Sequence, residues 1–327
     1  MNRRNQILIG VLVLQLVLAV IAFWPRQSPA TATGQVLFPG VTADQIRSVR
    51  LTDAKGEMIR LTKSDDGWVL PDADDYPAKT EKVTSFLDKL AGLKADRLIT
   101  QTAASHKRLK VAEGDFNALI EFELSDGGQH RLYVGSSAGY AAAHVRVDGQ
   151  EQVYMVSALS SSDASSQATA WTDAGYFSVT RDDVVSLTLE NANGRFEFVK
   201  DQAGTWTMSD LAADETLNQA AVTSLLYSVS SVSLQKPLGK VEQPEYGLQS
   251  PVAVVTLKTH SNTEGDKTYT LRVGAQDATD QTYVFASSSS PYYVRVNSYA
   301  VSGWIEKSRD DFLEVPPTAT PPPGTTG

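Results

Sequence analysis

The residues best suited to proton transfer or metal binding are four histidines, His106, His130, His144 and His260. None lies in an HExxH pattern or at close ligand spacing from a carboxylate. His130 follows Gly127-Gly128-Gln129 and His260 closes an alternating run, so both read as surface residues at turns. The serine runs Ser160-Ser161-Ser162 and Ser287 to Ser290 contain no GxSxG elbow and read as loop or linker. The absence of cysteine excludes thiol nucleophiles, thiolate metal sites and disulfides. No GxGxxG or GxxxxGK[ST] loop is present to cradle a phosphate.

Acidic clusters raise calcium chemistry. Asp65-Asp66-Gly67, and Asp72, Asp74 and Asp75, lack the alternating ligands and terminal Glu of a calcium loop. They read as solvated turns, with a weak external calcium contact as the alternative. Asp182-Asp183 and Asp310-Asp311 read as polar turns or helix caps. The sequence therefore names no catalytic, cofactor-binding or metal-ligating residue. Trp68 and Trp206 read as core residues rather than ligand platforms. Tyr140, Tyr283, Tyr292, Tyr293 and Tyr299 cluster near strand ends, as an interaction surface or as ordinary sheet-surface tyrosines.

The 18 residues Ile7 to Trp24 are interrupted only by Gly10 and Gln15, and carry no charge. A helix of this length, rising about 1.5 Å per residue, can cross a bilayer. Arg3 and Arg4 precede it, so the positive-inside rule predicts a cytoplasmic N-terminus (1–6), a transmembrane signal-anchor (7–25) and an extracytoplasmic remainder. The alternative is a cleaved signal, with Ala30-Thr31-Ala32 as a small-x-small site. Of 29 basic and 38 acidic residues, setting aside Arg3, Arg4 and Arg26 leaves the remainder at −12, which argues against nucleic acid.

Beyond a linker (26–35), the chain repeats with a period near 139 residues. Ile46-Arg-Ser-Val-Arg-Leu51 pairs with Val184-Val-Ser-Leu-Thr-Leu189, each an alternating strand. Glu57 to Leu61 pairs with Arg195 to Val199, and Gly67-Trp68 with Gly204-Thr205-Trp206. Val83, Phe86, Leu87, Leu90 and Leu93 form a helical stripe, repeated by Val222, Leu225, Leu226, Val229 and Val232. The reading is an α+β fold: two tandem homologous domains (36–159 and 171–315) of antiparallel strands with a packed helix, behind one transmembrane helix. Residues 160–170 read as a linker or short helix, and 316–327 as a disordered Pro/Thr-rich tail.

These strand-strand-Gly-x-Trp units, the amphipathic helix, Tyr246-Gly247-Leu248, Val273-Gly274 and Tyr292-Tyr293 resemble the bacterial family called domain of unknown function 4340. The resemblance spans roughly residues 45 to 313. In the first copy it rests on Gly67-Trp68, Val134-Gly135 and Val153-Tyr154, with Lys107-Arg108-Leu109 in place of Tyr-Gly-Leu. It implies two tandem copies behind an anchor and an envelope accessory role beside ABC-transporter or gliding-related proteins. It supplies no catalytic residue and no cofactor. The expected function is a non-enzymatic, membrane-tethered accessory or binding protein with an envelope or membrane protein partner. The alternative is an extracytoplasmic hydrolase or glycan-processing enzyme using paired carboxylates.

Overall fold

The computed structural model describes residues 34–263 and 265–315. The Ile7–Trp24 run and the tail from Pro316 lie outside the described residues. Among the described residues no helix is long and apolar enough to cross a membrane. The described chain divides into two compact units: residues 34–46, 53–55 and 86–164, and residues 47–52, 56–85 and 165–315.

The first half of the chain contains β1 (Gln35–Val36), β2 (Ile46–Asp53), β3 (Met58–Ser64), β4 (Gly67–Leu70) and β5 (Tyr76–Pro77). Helix α1 (Thr80–Ala91), β6 (Lys94–Ala95), β7 (Arg97–Thr100), β8 (Val111–Ala112) and β9 (Asp115–Phe116) follow. It closes with β10 (Ala118–Leu124), β11 (Gln129–Gly139), β12 (Ala142–Val147) and β13 (Val153–Val156). The second half opens with β14 (Gly175–Ser178), β15 (Val184–Asn191), β16 (Gly194–Lys200), β17 (Trp206–Met208), α2 (Gln219–Val229) and β18 (Ser231–Gly239). It ends with β19 (Ala253–Ser261), β20 (Gly265–Gln276), β21 (Tyr283–Ser287), β22 (Tyr293–Val296) and α3 (Ser298–Glu306).

Among the described residues, mostly antiparallel strands in large sheets, with three α-helices, make this an α+β fold. One nine-stranded sheet runs β5-β4-β3-β2-β10-β11-β12-β13-β7. The other, read from its far edge, runs β17-β16-β15-β19-β20-β21-β22-β18-β14. The shared order is the same, with β4 matching β17 and β7 matching β18. The β1–β6 ribbon stands where β14 pairs with β18: Gln35 faces Ala95, as Gly175 faces Ser233. The alternation read in the sequence has a simple cause, since inward positions such as Val49, Leu51, Leu187 and Leu189 are fully buried.

Both helical stripes are buried. Trp68 and Trp206 are core residues, each 5% exposed. Their backbone N–H groups also find matching partners at the first helical position, Thr80 Oγ1 at 3.5 Å and Gln219 Oε1 at 3.0 Å. Residues 160–170 form a turn and a single 3-10 turn (Ala168–Ala170) rather than a short α-helix. Ser160 bonds Asp163 through both its N–H and its hydroxyl, and such local bonds compete with a helix.

In each half a chain segment crosses tightly over a glycine. A β-carbon on Gly274 would meet the Tyr246 carbonyl oxygen at 2.1 Å, and one on Gly135 would meet that of Leu109 at 2.1 Å. The following residue is left-handed in both cases, Gly247 at φ 66° and Lys110 at φ 58°. The structural counterpart of Tyr-Gly-Leu is therefore Leu109-Lys110-Val111, two residues beyond the Lys107-Arg108-Leu109 match. An arginine bonds the carbonyl of the third residue in each half: Arg146 Nε to Val111 at 2.7 Å, and an Arg272 nitrogen to Leu248 at 3.1 Å. Arg146 lies across from Tyr133, and Arg272 across from Ala286. The arginine has thus changed strands while serving the same carbonyl.

Candidate binding cleft

Within the second unit, the start of β3 and the 3-10 turn after β4 (Pro71–Ala73) face the turn at Ala168–Ala170 and β18 across a cleft of about 400 Å³. Ile59, Leu70, Ala73 and Ala168, each under 9% exposed, form its apolar floor. Its polar lining includes Arg60, Asp72, Ser166, Gln167, Gln235 and Lys236. Arg60 and Asp72 are ion-paired, and the hydrogen bond and charge of Asp72 push the guanidinium further upward. Among the described residues, no aromatic ring lines the cleft.

The residues after Asp72 hold this wall in place. Asp74 and Asp75 are both left-handed, at φ 52° and 59°, a conformation that Asp tolerates better than most side chains. This turns the Asp74 carboxylate onto the backbone N–H of Lys240 at 2.6 Å. Gly239 is required next to it, because a β-carbon there would come within 2.5 Å of Asp74 Oδ2. The Tyr292 hydroxyl donates to the Asp75 carbonyl at 3.0 Å, and its ring meets Tyr76 edge-on at 4.7 Å. Burial, with smaller contributions from Tyr176, Asp173 and Tyr292, pushes Tyr76 up to about 12. The Lys79 N–H donates to Trp171 O at 2.6 Å.

The structure thus moves several sequence candidates. Asp72 and Asp74 are exposed turn residues, as the solvated-turn reading expects, and each also has a partner: Asp72 pairs with Arg60, and Asp74 accepts from the Lys240 N–H. Among the described residues no group of three or more His, Asp or Glu is arranged to hold a metal ion. Asp311 caps the turn that begins at Ser308, accepting from the Ser308 N–H at 2.8 Å, as the cap reading expects. Tyr292 and Tyr293 are half-buried and engaged internally. Tyr293 donates to Glu242 at 3.1 Å and packs on Tyr246. Tyr140 and Tyr299 are the exposed members of the tyrosine set. No lining residue of the cleft carries a motif, so its signal was invisible without the packing.

Each histidine is also accounted for. His130 lies in β11, stacked on Phe122 at 4.9 Å and edge-on to Phe38, not in a surface turn. His106 bonds Glu151 O at 2.8 Å and exposed His260 meets Asp266 at 2.6 Å. His144 Nδ1 lies 3.0 Å from Ser136 Oγ, the spacing of a nucleophile and its base. The same nitrogen lies 3.0 Å from the Ser136 carbonyl, which only accepts, so Nδ1 carries the proton. The Ser136 hydroxyl in turn donates to Leu109 O at 3.3 Å. The proton polarity is opposite to that of an activated serine, and the pair braces the Leu109 crossing. Asp163, Glu215, Asp280 and Asp311 are all held below the ordinary carboxylate range, whereas a carboxylic acid donor needs the reverse.

The fold and cleft define a sheet-rich α+β protein with a partly polar cleft. The family model described as Domain of unknown function (DUF4340) matches residues 68–251, more than half of the chain, and the chain belongs to that family. The match begins at Trp68 and so includes Leu70, Asp72, Ala73, Gln167, Gln235 and Lys236 of the cleft. No curated protein and no solved structure matches the chain.

Proposed function

We propose that this protein is a membrane-tethered accessory of the bacterial cell envelope that acts by binding, not by turnover, as an auxiliary of an ABC-type transport complex. The observation that carries the reading is the uncharged Ile7–Trp24 run behind Arg3 and Arg4. On this reading the run is a retained single-pass anchor and the two halves are tandem copies of the family domain outside the cytoplasm. The equivalent strand orders and the paired Gly135 and Gly274 crossings support descent of both halves from one domain. The polar cleft supports a binding role. Crosslinking of the full chain in cells, followed by purification in mild detergent, tests it. Reproducible recovery of one membrane or envelope protein complex is expected. Recovery of the chain alone, together with robust hydrolysis of peptide, ester or glycan substrates by the purified protein, would overturn it.

A further inference from the structure

Each half of the chain is closed by the same device. Lys79 and Asn218, the residues just before α1 and α2, donate their backbone N–H groups to Trp171 O at 2.6 Å and to Phe312 O at 2.8 Å. Each acceptor lies three residues after the start of a 3-10 turn, which begins at Ala168 in one case and at Arg309 in the other. Both side chains are buried, Trp171 at 2% exposure and Phe312 at 0%. Phe312 packs on Phe196 and Phe198 of β16, with ring centroids 5.4 and 4.8 Å apart. The Trp171 indole N–H donates to Ser165 O at 2.8 Å. Trp171 thus stands to the first half as Phe312 stands to the second.

The two closures differ in what fastens them. Arg309 meets Asp210 at 2.6 Å and Glu215 at 2.5 Å, so the second half holds its own closing turn. Ala168 takes the matching position in the first half and carries no charge. There the fastening comes from the second half. β18 packs against both Pro71–Ala73 and Ala168–Ala170, and the Lys240 N–H and the Tyr292 hydroxyl hold Asp74 and Asp75. Only Thr172, Asp173 and Ala174 separate Trp171 from β14, and they leave no slack. Thr172, 2% exposed, donates both its N–H and its hydroxyl to Ala168 O at 3.0 Å. Ala174 O accepts the Leu234 N–H at 2.8 Å. Flexible boundaries run through exposed chain that few contacts cross, and this segment is the opposite. We infer that residues 165–174 are a coupler, with Trp171 as its plug, that makes the Met58–Lys79 ribbon open only together with the second half. All of these residues lie in the second compact unit. The same elements carry both walls of the cleft, so the coupler fixes its width. The inference rests on neither the membrane anchor nor the binding role.

Native-state hydrogen exchange of the full chain in mild detergent, followed residue by residue in rising urea, tests this. The Lys79 and Leu234 amides are bound to the two ends of the coupler, Trp171 O and Ala174 O. In the wild type both are expected to merge with the amides of the central strand β19 into one opening with one urea dependence. Trp171→Ala is expected to speed exchange at Lys79 and Leu234 together, each by about tenfold or more. Trp171→Phe, which gives the first half the plug of the second, is expected to keep both within about threefold of the wild type. A separate, earlier opening of Lys79 in the wild type would overturn the inference. So would a Trp171→Ala variant that frees Lys79 while Leu234 keeps its full protection. Where Trp171→Ala fails to fold, Trp171→Phe serves the same comparison, and a faster Lys79 beside an unchanged Leu234 again overturns the inference.

Discussion

Tyr246 and Gly274 meet backbone to backbone: the Tyr246 carbonyl oxygen occupies a point 2.1 Å from where a β-carbon on residue 274 would stand. Leu109 and Gly135 repeat the relationship at the same distance. The obstructing atom belongs to a main chain, so it cannot swing aside as a side chain can. Gly274→Ala and Gly135→Ala are each expected to destabilise the fold by about 2–3 kcal/mol, at the upper part of the overpacking range. Urea unfolding followed by circular dichroism measures this. Wild-type midpoints would mean that the crossing segments yield freely.

Trp206 fills the core beside α2 and donates its N–H to Gln219. Trp206→Ala is expected to cost about 3–5 kcal/mol through the lost burial and the cavity left behind. Trp68→Ala should fall in the same range, since the two sites are equivalent. A near-zero shift for either would show that the indole is not a core group.

Asp74 joins a left-handed backbone to a carboxylate cap on the Lys240 N–H. Asp74→Ala is expected to cost about 1–3 kcal/mol, combining the lost acceptor with greater left-handed strain. Hydrogen exchange should report a faster Lys240 amide. Unchanged protection at Lys240 would place the amide in another bond and remove this support for the cleft wall.

Acid should weaken the first unit partly through Asp163. Burial raises its carboxyl, but bonds from the Ser160 hydroxyl and N–H and from Lys89 more than offset this and hold it low. A carboxyl lowered in the folded state contributes stability that is present above its unfolded value, about pH 3.9, and lost as pH falls through the lower folded value. The stability gap between wild type and Asp163→Asn should therefore be largest near neutrality and narrow below about pH 4. A gap that is the same at pH 3 and pH 7 would contradict the assignment.

The strand alternation, the two helical stripes and the tryptophan pair were legible in the sequence because each depends on local periodicity and burial. The Tyr-Gly-Leu counterpart was not. Lys110 adopts the left-handed conformation that Gly247 adopts, so residue identity concealed the match and displaced it by two positions. His130 looked like a turn residue because Gly127 and Gly128 precede it, yet its ring is enclosed by Phe38 and Phe122, one of them 92 positions away in the sequence. The cleft was equally hidden. Arg60, Gln167 and Gln235 carry no motif, and only the folded chain brings them to one space.

The tether and its orientation are the centre of this account, and one labelling experiment addresses them most directly. The chain has no cysteine, so Asn262→Cys, at the exposed turn between β19 and β20, introduces a unique thiol. Intact cells with a permeabilised outer layer are treated with a membrane-impermeant maleimide, and membranes are then washed with alkaline carbonate. The account predicts labelling before lysis and retention of the labelled protein in the washed membrane. Labelling only after lysis, or release into the wash, would contradict it.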